Sequence, residues 1–297
     1  MMNLKNSQNF LNDKNLVEYL VRNSSINSDD TVLEIGPGKG IITNMLANYA
    51  ERVIAVEYDK MLFDALVEKN KKENVEYIFN DILKIKLPSY KYKVFSNIPF
   101  QITADIIKKL TENSNCPEDI YLIVQKEAAK KYCGIPFQKM EGLRASILKL
   151  KYKVSIVHCF KKTDFSPVPN VDIVLLHLVK RNDCMDEKSY LDCRDLISYM
   201  YNCSKGNTSK ERLATLFTNP QIIRLARDNN INLNQSYTQI TSEQWEKIYM
   251  YSKIGVSSEK RKLIVGKYNK NEKRNKGLKK QNRSNYRTPR KSNKTKH

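Results

Sequence analysis

The sequence predicts an α/β protein: a mostly parallel sheet with an antiparallel edge hairpin, then a small helical domain and a basic, disordered tail. Three observations carry this. Strand-like and amphipathic runs alternate up to about residue 180. A helical pattern follows to about residue 255, and Lys, Arg, Asn and Ser dominate beyond it. The expected domains are therefore 1–182, 183–255 and 256–297.

The strand runs are Thr31–Ile35, Arg52–Glu57, Val75–Asn80, Lys93–Asn97 and Asp119–Gln125. Amphipathic runs at Ile41–Tyr49, Lys60–Asn70 and Ala104–Leu110 separate several of them. Repeated strand–helix–strand spacing implies parallel strands with helices on both faces. Two further β-rich runs, Lys153–Cys159 and Val171–Val179, lack an intervening helix and suit an edge hairpin with Phe165 to Asn170 in the connection. In the helical region Leu191, Leu196, Ile197 and Met200 form a stripe. Thr241, with Gln244 three residues on and Trp245 after it, marks a helix start.

The chain has 297 residues and a net charge of +20. From Glu259 to His297 there are 16 Lys/Arg and 2 acids, so +14 lies in the tail and +6 in the rest. Few aliphatics accompany those charges, so the tail is expected to be disordered when free. Its sign favours a polyanion, and without an apolar face nucleic acid is preferred to a membrane surface. The tail also interleaves Tyr268, Tyr286 and Arg287 with lysines, which suits stacking. No apolar run has transmembrane length and the N-terminus lacks signal-peptide character, so a cytoplasmic protein is expected. The six cysteines include no C-x-x-C pair, so neither a disulfide framework nor a metal site is expected.

The apolar strand ending at Ile35 runs into Gly36-Pro37-Gly38-Lys39-Gly40, and a helix opens at Ile41. Glycines here permit positive φ and close backbone approach to a ligand. Glu57 ends the next strand, where a carboxylate suits a ribose diol. Asp81 follows the third strand, in Asn80-Asp81-Ile82, where a carboxylate suits an adenine amino group. Dinucleotide sites use G-x-G-x-x-G. The spacing here is G-x-G-x-G, with Lys39 in part of the space a pyrophosphate needs. S-adenosyl-L-methionine carries no phosphate and suits the tighter loop.

Asn97-Ile98-Pro99-Phe100 lies just past the fourth strand. An adenine amine is a poor nucleophile because its lone pair is delocalised into the ring. Accepting its two N–H groups, with Asn97 Oδ1 and a backbone carbonyl such as that of Ile98, draws the nitrogen toward sp³. Pro99 fixes φ beside that carbonyl. Phe100 can stack on the base and tolerate transient positive charge. In-line positioning supplies most of the acceleration.

These segments, with Ser7-Gln8-Asn9-Phe10-Leu11 and Phe165-Ser166-Pro167-Val168-Pro169, resemble the ribosomal RNA adenine N6-methyltransferases. That family includes the Erm resistance enzymes and the small-subunit dimethyltransferases. The resemblance implies a Rossmann-like S-adenosylmethionine methyltransferase sheet. It implies that Asn9, Leu11, Gly36, Gly38, Glu57, Asp81, Ile82 and Asn97 meet the cofactor. Phe100 and Phe165 would sandwich a target adenine. Asn97-Ile98-Pro99-Phe100 and the following residues to Ile107 look closer to the Erm pattern, since dimethyltransferases usually carry Leu and Tyr in the tetrad. The implied substrate is an adenine in the peptidyl-transferase loop of 23S rRNA, with macrolide, lincosamide and streptogramin B resistance as the consequence. Gln125-Lys126-Glu127 also fits the small-subunit branch, whose 16S rRNA substrate is the alternative. A non-catalytic RNA-binding assembly factor on the same fold is the alternative from another class. Asn170 stands where the family usually has Lys. Of the basic clusters Lys126/Lys130/Lys131, Lys149/Lys151/Lys153 and Lys161/Lys162, the last precedes Phe165, so Lys161 and Lys162 are the expected RNA contacts. A monomer suffices for all of this.

Overall fold

The computed structural model describes residues 9–70 and 72–285. Ser7 and Gln8 of the N-terminal motif, and Tyr286 and Arg287 of the tail, lie outside the described residues. Two compact units divide between Cys184 and Met185.

The first unit is built on a seven-stranded sheet. Its strands are β2 (Thr31–Ile35), β3 (Arg52–Glu57), β4 (Val75–Phe79), β5 (Lys93–Asn97), β6 (Asp119–Gln125), β7 (Tyr152–Cys159) and β9 (Ile173–Lys180). The spatial order is β4-β3-β2-β5-β6-β9-β7. The pairs from β4 to β6 are parallel, and β9 runs antiparallel to both β6 and β7. The expected hairpin is therefore present, and its later strand is the inner one. The burial pattern explains why. Ile173, Val174, Leu175 and Leu176 of β9 are buried in succession, whereas β7 alternates from Lys153 onward and fits an edge.

Alternation along the strands divides the apolar residues between two faces. Leu33, Ile35, Ile54, Val56 and Val94 join one core with Ile106, Ile107 and Leu110 of α4 (Thr103–Thr111). Val32, Val53 and Phe95 join the other, with α1 (Lys14–Arg22) and α2 (Ile41–Tyr49). Burial on both faces is why these strands read as continuous apolar runs. Each such side chain contributes about 1.5–3 kcal/mol when fully buried.

Between β7 and β9 the chain makes a short strand that the sequence did not announce. β8 (Phe165–Ser166) pairs antiparallel with β1 (Phe10–Leu11), with Leu11 opposite Phe165. Asn12 extends this ribbon: its amide donates to the Asp164 carbonyl and its Nδ2 to the Thr163 carbonyl, both at 3.1 Å.

The second unit contains α7 (Glu187–Asn202), α8 (Ser209–Leu213), α9 (Asn219–Asp228) and α10 (Ser242–Gly255). Thr241 caps α10 as expected: its Oγ1 accepts from the Gln244 amide at 3.2 Å, and Gln244 Oε1 accepts from the Thr241 amide at 3.0 Å. Thr208 with Glu211 and Thr218 with Gln221 repeat the arrangement. Trp245, in the first turn of α10, is fully buried.

The first part of the region expected to be disordered is helical. It forms α11 (Ser258–Lys262) and α12 (Lys267–Asn285). Val256, Ile264 and Tyr268 are buried, and the Asp195 carboxylate on α7 accepts from the amides of Gly266 at 2.6 Å and Tyr268 at 2.9 Å. A mean composition conceals these few anchoring residues. No helix among the described residues is long and apolar enough to cross a membrane.

Ending the chain at Gly255 therefore removes packing as well as charge. The shortened protein is expected to lose several kcal/mol of stability, read by denaturant unfolding against the full chain. Equal stabilities would contradict the anchoring of α12.

Candidate active site

The parallel sheet changes direction of winding between β2 and β5, the place where open α/β sheets bind ligands. The two strands pair only at Val32–Lys93 and Leu33–Val94, and then splay. Ser96 holds the splayed ends. Its Oγ accepts from the Ile35 amide at 3.1 Å and donates to the Ile35 carbonyl at 2.5 Å. The Gly-rich loop leaves one lip of this opening and the Asn97 tetrad leaves the other.

In the loop, the Gly36 amide donates to the Val56 carbonyl at 2.9 Å. Gly38 takes φ 57°, and a Cβ there would lie 2.6 Å from the Phe10 ring. Only glycine meets both constraints. Phe10 thus closes over the loop, with Lys39 Nζ 5.1 Å from its ring centroid. The Gly38 amide donates to Glu57 Oε2 at 3.1 Å, while Glu57 Oε1 accepts from the amides of Tyr58 and Asp59 at 2.9 Å. A grip on a ribose diol through both oxygens is therefore restricted. Oε1 already serves two donors, which leaves Oε2 as the oxygen that can take a further one.

Asp81 is half-buried and its Oδ1 accepts from the Leu83 amide at 2.9 Å, which fixes the turn after β4. Ile82 is 5% exposed and packs into the sheet core. Its side chain is thus a support rather than a surface.

The tetrad is tied to the N-terminal segment. Asn97 Nδ2 donates to the Asn9 carbonyl at 2.8 Å. This sets the amide orientation, because a carbonyl partner requires the NH₂ side, and leaves Oδ1 to accept. Ile98 is 2% exposed and anchors the turn. Pro99 holds φ −62°, and its Cδ lies 3.8 Å from where a Gly36 Cβ would be. Phe100 is half-buried against the α1 and α2 core, and its carbonyl accepts from Thr103 Oγ1 at 3.0 Å.

Phe165 differs from expectation. It is 1% exposed, opposite Leu11 in the ribbon and edge-on to Phe160 with centroids 5.3 Å apart. No open ring face meets a base in this arrangement, so a sandwich needs the ribbon to shift. Leu11 is likewise buried, while Asn9 is half-buried.

The basic clusters also separate. Lys149 pairs with the buried Glu141 at 2.8 Å, Lys130 with Glu127 at 2.8 Å, and Lys126 lies 3.7 Å from Asp172. Lys151 is buried. Lys161 and Lys162 are exposed, and Lys162 Nζ donates to the Asn170 carbonyl at 3.3 Å.

Two features of the site went unread in the sequence. One is the Phe10 lid over Gly38, whose partners are too far apart in the chain for any periodicity. The other is Glu34, a carboxyl 1% exposed in β2. Burial first, and then the Glu57 charge, push it up to about 8 against the opposing pull of Thr43. A charged residue inside an otherwise apolar strand was the available signal.

The fold is that of a Rossmann-like methyltransferase, with Asn97 in a loop at the switch point of its sheet. Residues 1–253 match the family model for ribosomal RNA adenine dimethylase. The chain belongs to that family, the S-adenosylmethionine-dependent rRNA (adenine-N6)-methyltransferases. It is 33% identical over 244 residues to an rRNA adenine N-6-methyltransferase of Bacillus anthracis, covering 82% of this chain and 84% of the relative. It is 34% identical over 197 residues to ribosomal RNA small subunit methyltransferase A of Ligilactobacillus salivarius, covering 62% and 67%. The fold is similar to the crystal structure of 23S rRNA methyltransferase ErmE, with TM-score 0.74, 22% identity and coverage of 82% and 100%. A dimethyladenosine transferase from Plasmodium falciparum gives TM-score 0.65, 20% identity and coverage of 83% and 98%.

Burial of a protonated Glu34 makes stability depend on pH. Its folded value lies above the ordinary 4.5, so between about 4.5 and 8 the unfolded chain releases a proton that the folded chain keeps. Stability then falls as pH rises through that window and levels off above it. Glu34→Gln removes this dependence. The stability difference, variant minus wild type, should grow by a few kcal/mol from pH 5 to pH 8. A difference that stays constant across pH would contradict a neutral Glu34.

Proposed function

We propose that this protein methylates N6 of an adenine in the peptidyl-transferase loop of 23S rRNA, in the cytoplasm, and thereby confers macrolide, lincosamide and streptogramin B resistance. The observation that carries the chemistry is the Asn97 amide, held by the Asn9 carbonyl with Oδ1 left to accept. The preference for 23S rRNA rests on the Ile98 and Phe100 pattern of the tetrad. It is supported by the longer match to the rRNA adenine N-6-methyltransferase than to the small-subunit enzyme. The 16S reading remains the second one, favoured by Gln125-Lys126-Glu127 and by the small-subunit relative itself.

The residues present fit S-adenosyl-L-methionine. The positive-φ loop offers close backbone approach, Glu57 Oε2 suits a hydroxyl donor, and Asp81 stands at the next strand end. Leu11 and Ile82 would back the site through their main chains. When bound, the cofactor supplies a methyl group on a cationic sulfur. The protein's part is to bind and orient the amine. Asn97 Oδ1 and the Ile98 carbonyl would take the two N–H groups, which localises the nitrogen lone pair. Phe100 would stack on the ring. Extruding a base costs a few kcal/mol, and stacking returns about 1–3 kcal/mol per base. With Phe165 buried, Phe100 alone covers much of that cost. Phe165 would add its share after the β1–β8 ribbon moves. Lys161 and Lys162 would hold flanking phosphates, with the helical unit as a further RNA surface.

The test is incubation of the full chain with methyl-labelled cofactor and each naked rRNA, followed by mapping of the labelled adenine. Label in 23S rRNA is expected. Label confined to 16S rRNA would move the protein to the biogenesis reading, and label in neither would sink both.

A further inference from the structure

We propose that α12 is an RNA-docking arm, fixed to the helical unit at its start and gripping the phosphates of structured RNA along its length. This rests on the rRNA-methylating reading above. The matched family residues end at 253, so the arm lies beyond the family's shared body.

Its root is a built junction. Asp195 accepts from the Gly266 and Tyr268 amides, and Asn271 Nδ2 donates to Ser198 Oγ at 2.8 Å. The Arg194 guanidinium lies 4.2 Å from the centroid of the buried Tyr268 ring. These contacts satisfy the first turn and give the helix a fixed direction. Beyond them Lys270, Lys273 and Arg274 are exposed.

The composition then selects the partner. Residues 267–285 carry eight Lys/Arg and one acid, Glu272. Their only large apolar residues are Tyr268, which the root consumes, and Leu278. A helix with no apolar stripe neither packs on a protein core nor inserts in a bilayer. Its cations recur three and four residues apart, as in Lys270, Lys273 and Arg274. Like charges at that spacing disfavour an isolated helix. A polyanion reverses the sign of that contribution. At 1.5 Å per residue the arm spans about 28 Å, enough to follow several phosphates of an RNA helix. Such contacts position an RNA without reading its sequence.

The test replaces the three exposed cations in the full chain: Lys270→Gln, Lys273→Gln and Arg274→Gln together. Binding is read by fluorescence anisotropy over a salt series. The probes are a 23S peptidyl-transferase-loop transcript, a 16S 3′-hairpin transcript and an unrelated duplex RNA. Affinity should fall about tenfold on all three, and the slope of log affinity against log salt should shrink by about two to three. A charge-keeping variant, Lys270→Arg, Lys273→Arg and Arg274→Lys, should bind like wild type. An unchanged thermal midpoint separates lost charge from lost fold. Wild-type affinity and slope in the Gln variant would overturn the proposal. So would a loss seen only with phosphatidylserine vesicles, which would make the arm a membrane contact. Because binding is read directly, a failure to methylate either rRNA leaves this test decisive.

Discussion

The hydrogen bond from Asn97 Nδ2 to the Asn9 carbonyl joins two parts of the site that are 88 residues apart in the chain. It orients the amide on the acceptor side. It also holds the N-terminal segment across the opening between β2 and β5, where Phe10 covers Gly38 and Leu11 pairs with Phe165. Cofactor loop, tetrad and the Phe165 ribbon therefore share one strap. A shift of that strap to free the Phe165 ring would be felt at Gly38 and Asn97 together. In the proposed reaction this coupling would link admission of a base to closure over the cofactor.

Electrostatics beneath the strap follow from burial. Glu57 is 4% exposed and is compensated by three backbone amides. Glu34, close enough to feel its charge, keeps its proton through neutral pH instead. Two ionised carboxylates side by side under a loop would cost more than one ion and one neutral acid. With Glu34 neutral, the Glu57 side chain is the member of this pair that meets the loop, through Oε2 and the Gly38 amide.

Much of the fold was legible because its signals are local. Strands β3 and β6 follow continuous apolar runs and β2 a nearly continuous one, α2 follows an amphipathic run, and Thr241 with Gln244 is a cap readable three residues at a time. The glycine loop, Glu57, Asp81 and Asn97 lie at the strand ends where the sequence put them. What escaped was non-local or balanced against an average. The β1–β8 ribbon has two residues per strand, too few to show a period. The burial of Phe165 depends on Leu11 and Phe160, one of them far away in sequence. The rooted start of α12 rests on Asp195 of α7 and on Ile264 and Tyr268, which lie inside a stretch whose overall composition reads as disordered. The acidic neighbours of Lys126, Lys130 and Lys149 were equally hidden, because Asp172 and Glu141 approach from elsewhere in the chain and only Glu127 lies within one helical turn of its lysine.

The proposed chemistry requires Asn97 to act on the acceptor amine. Single-turnover methyl transfer by Asn97→Ala, at saturating RNA and cofactor, isolates that step from binding. Loss of an accepting group needed only as the nitrogen becomes nucleophilic should slow transfer by at least about a hundredfold, equivalent to about 2.7 kcal/mol. A rate within a few-fold of wild type under those conditions would contradict the central role given to the amide.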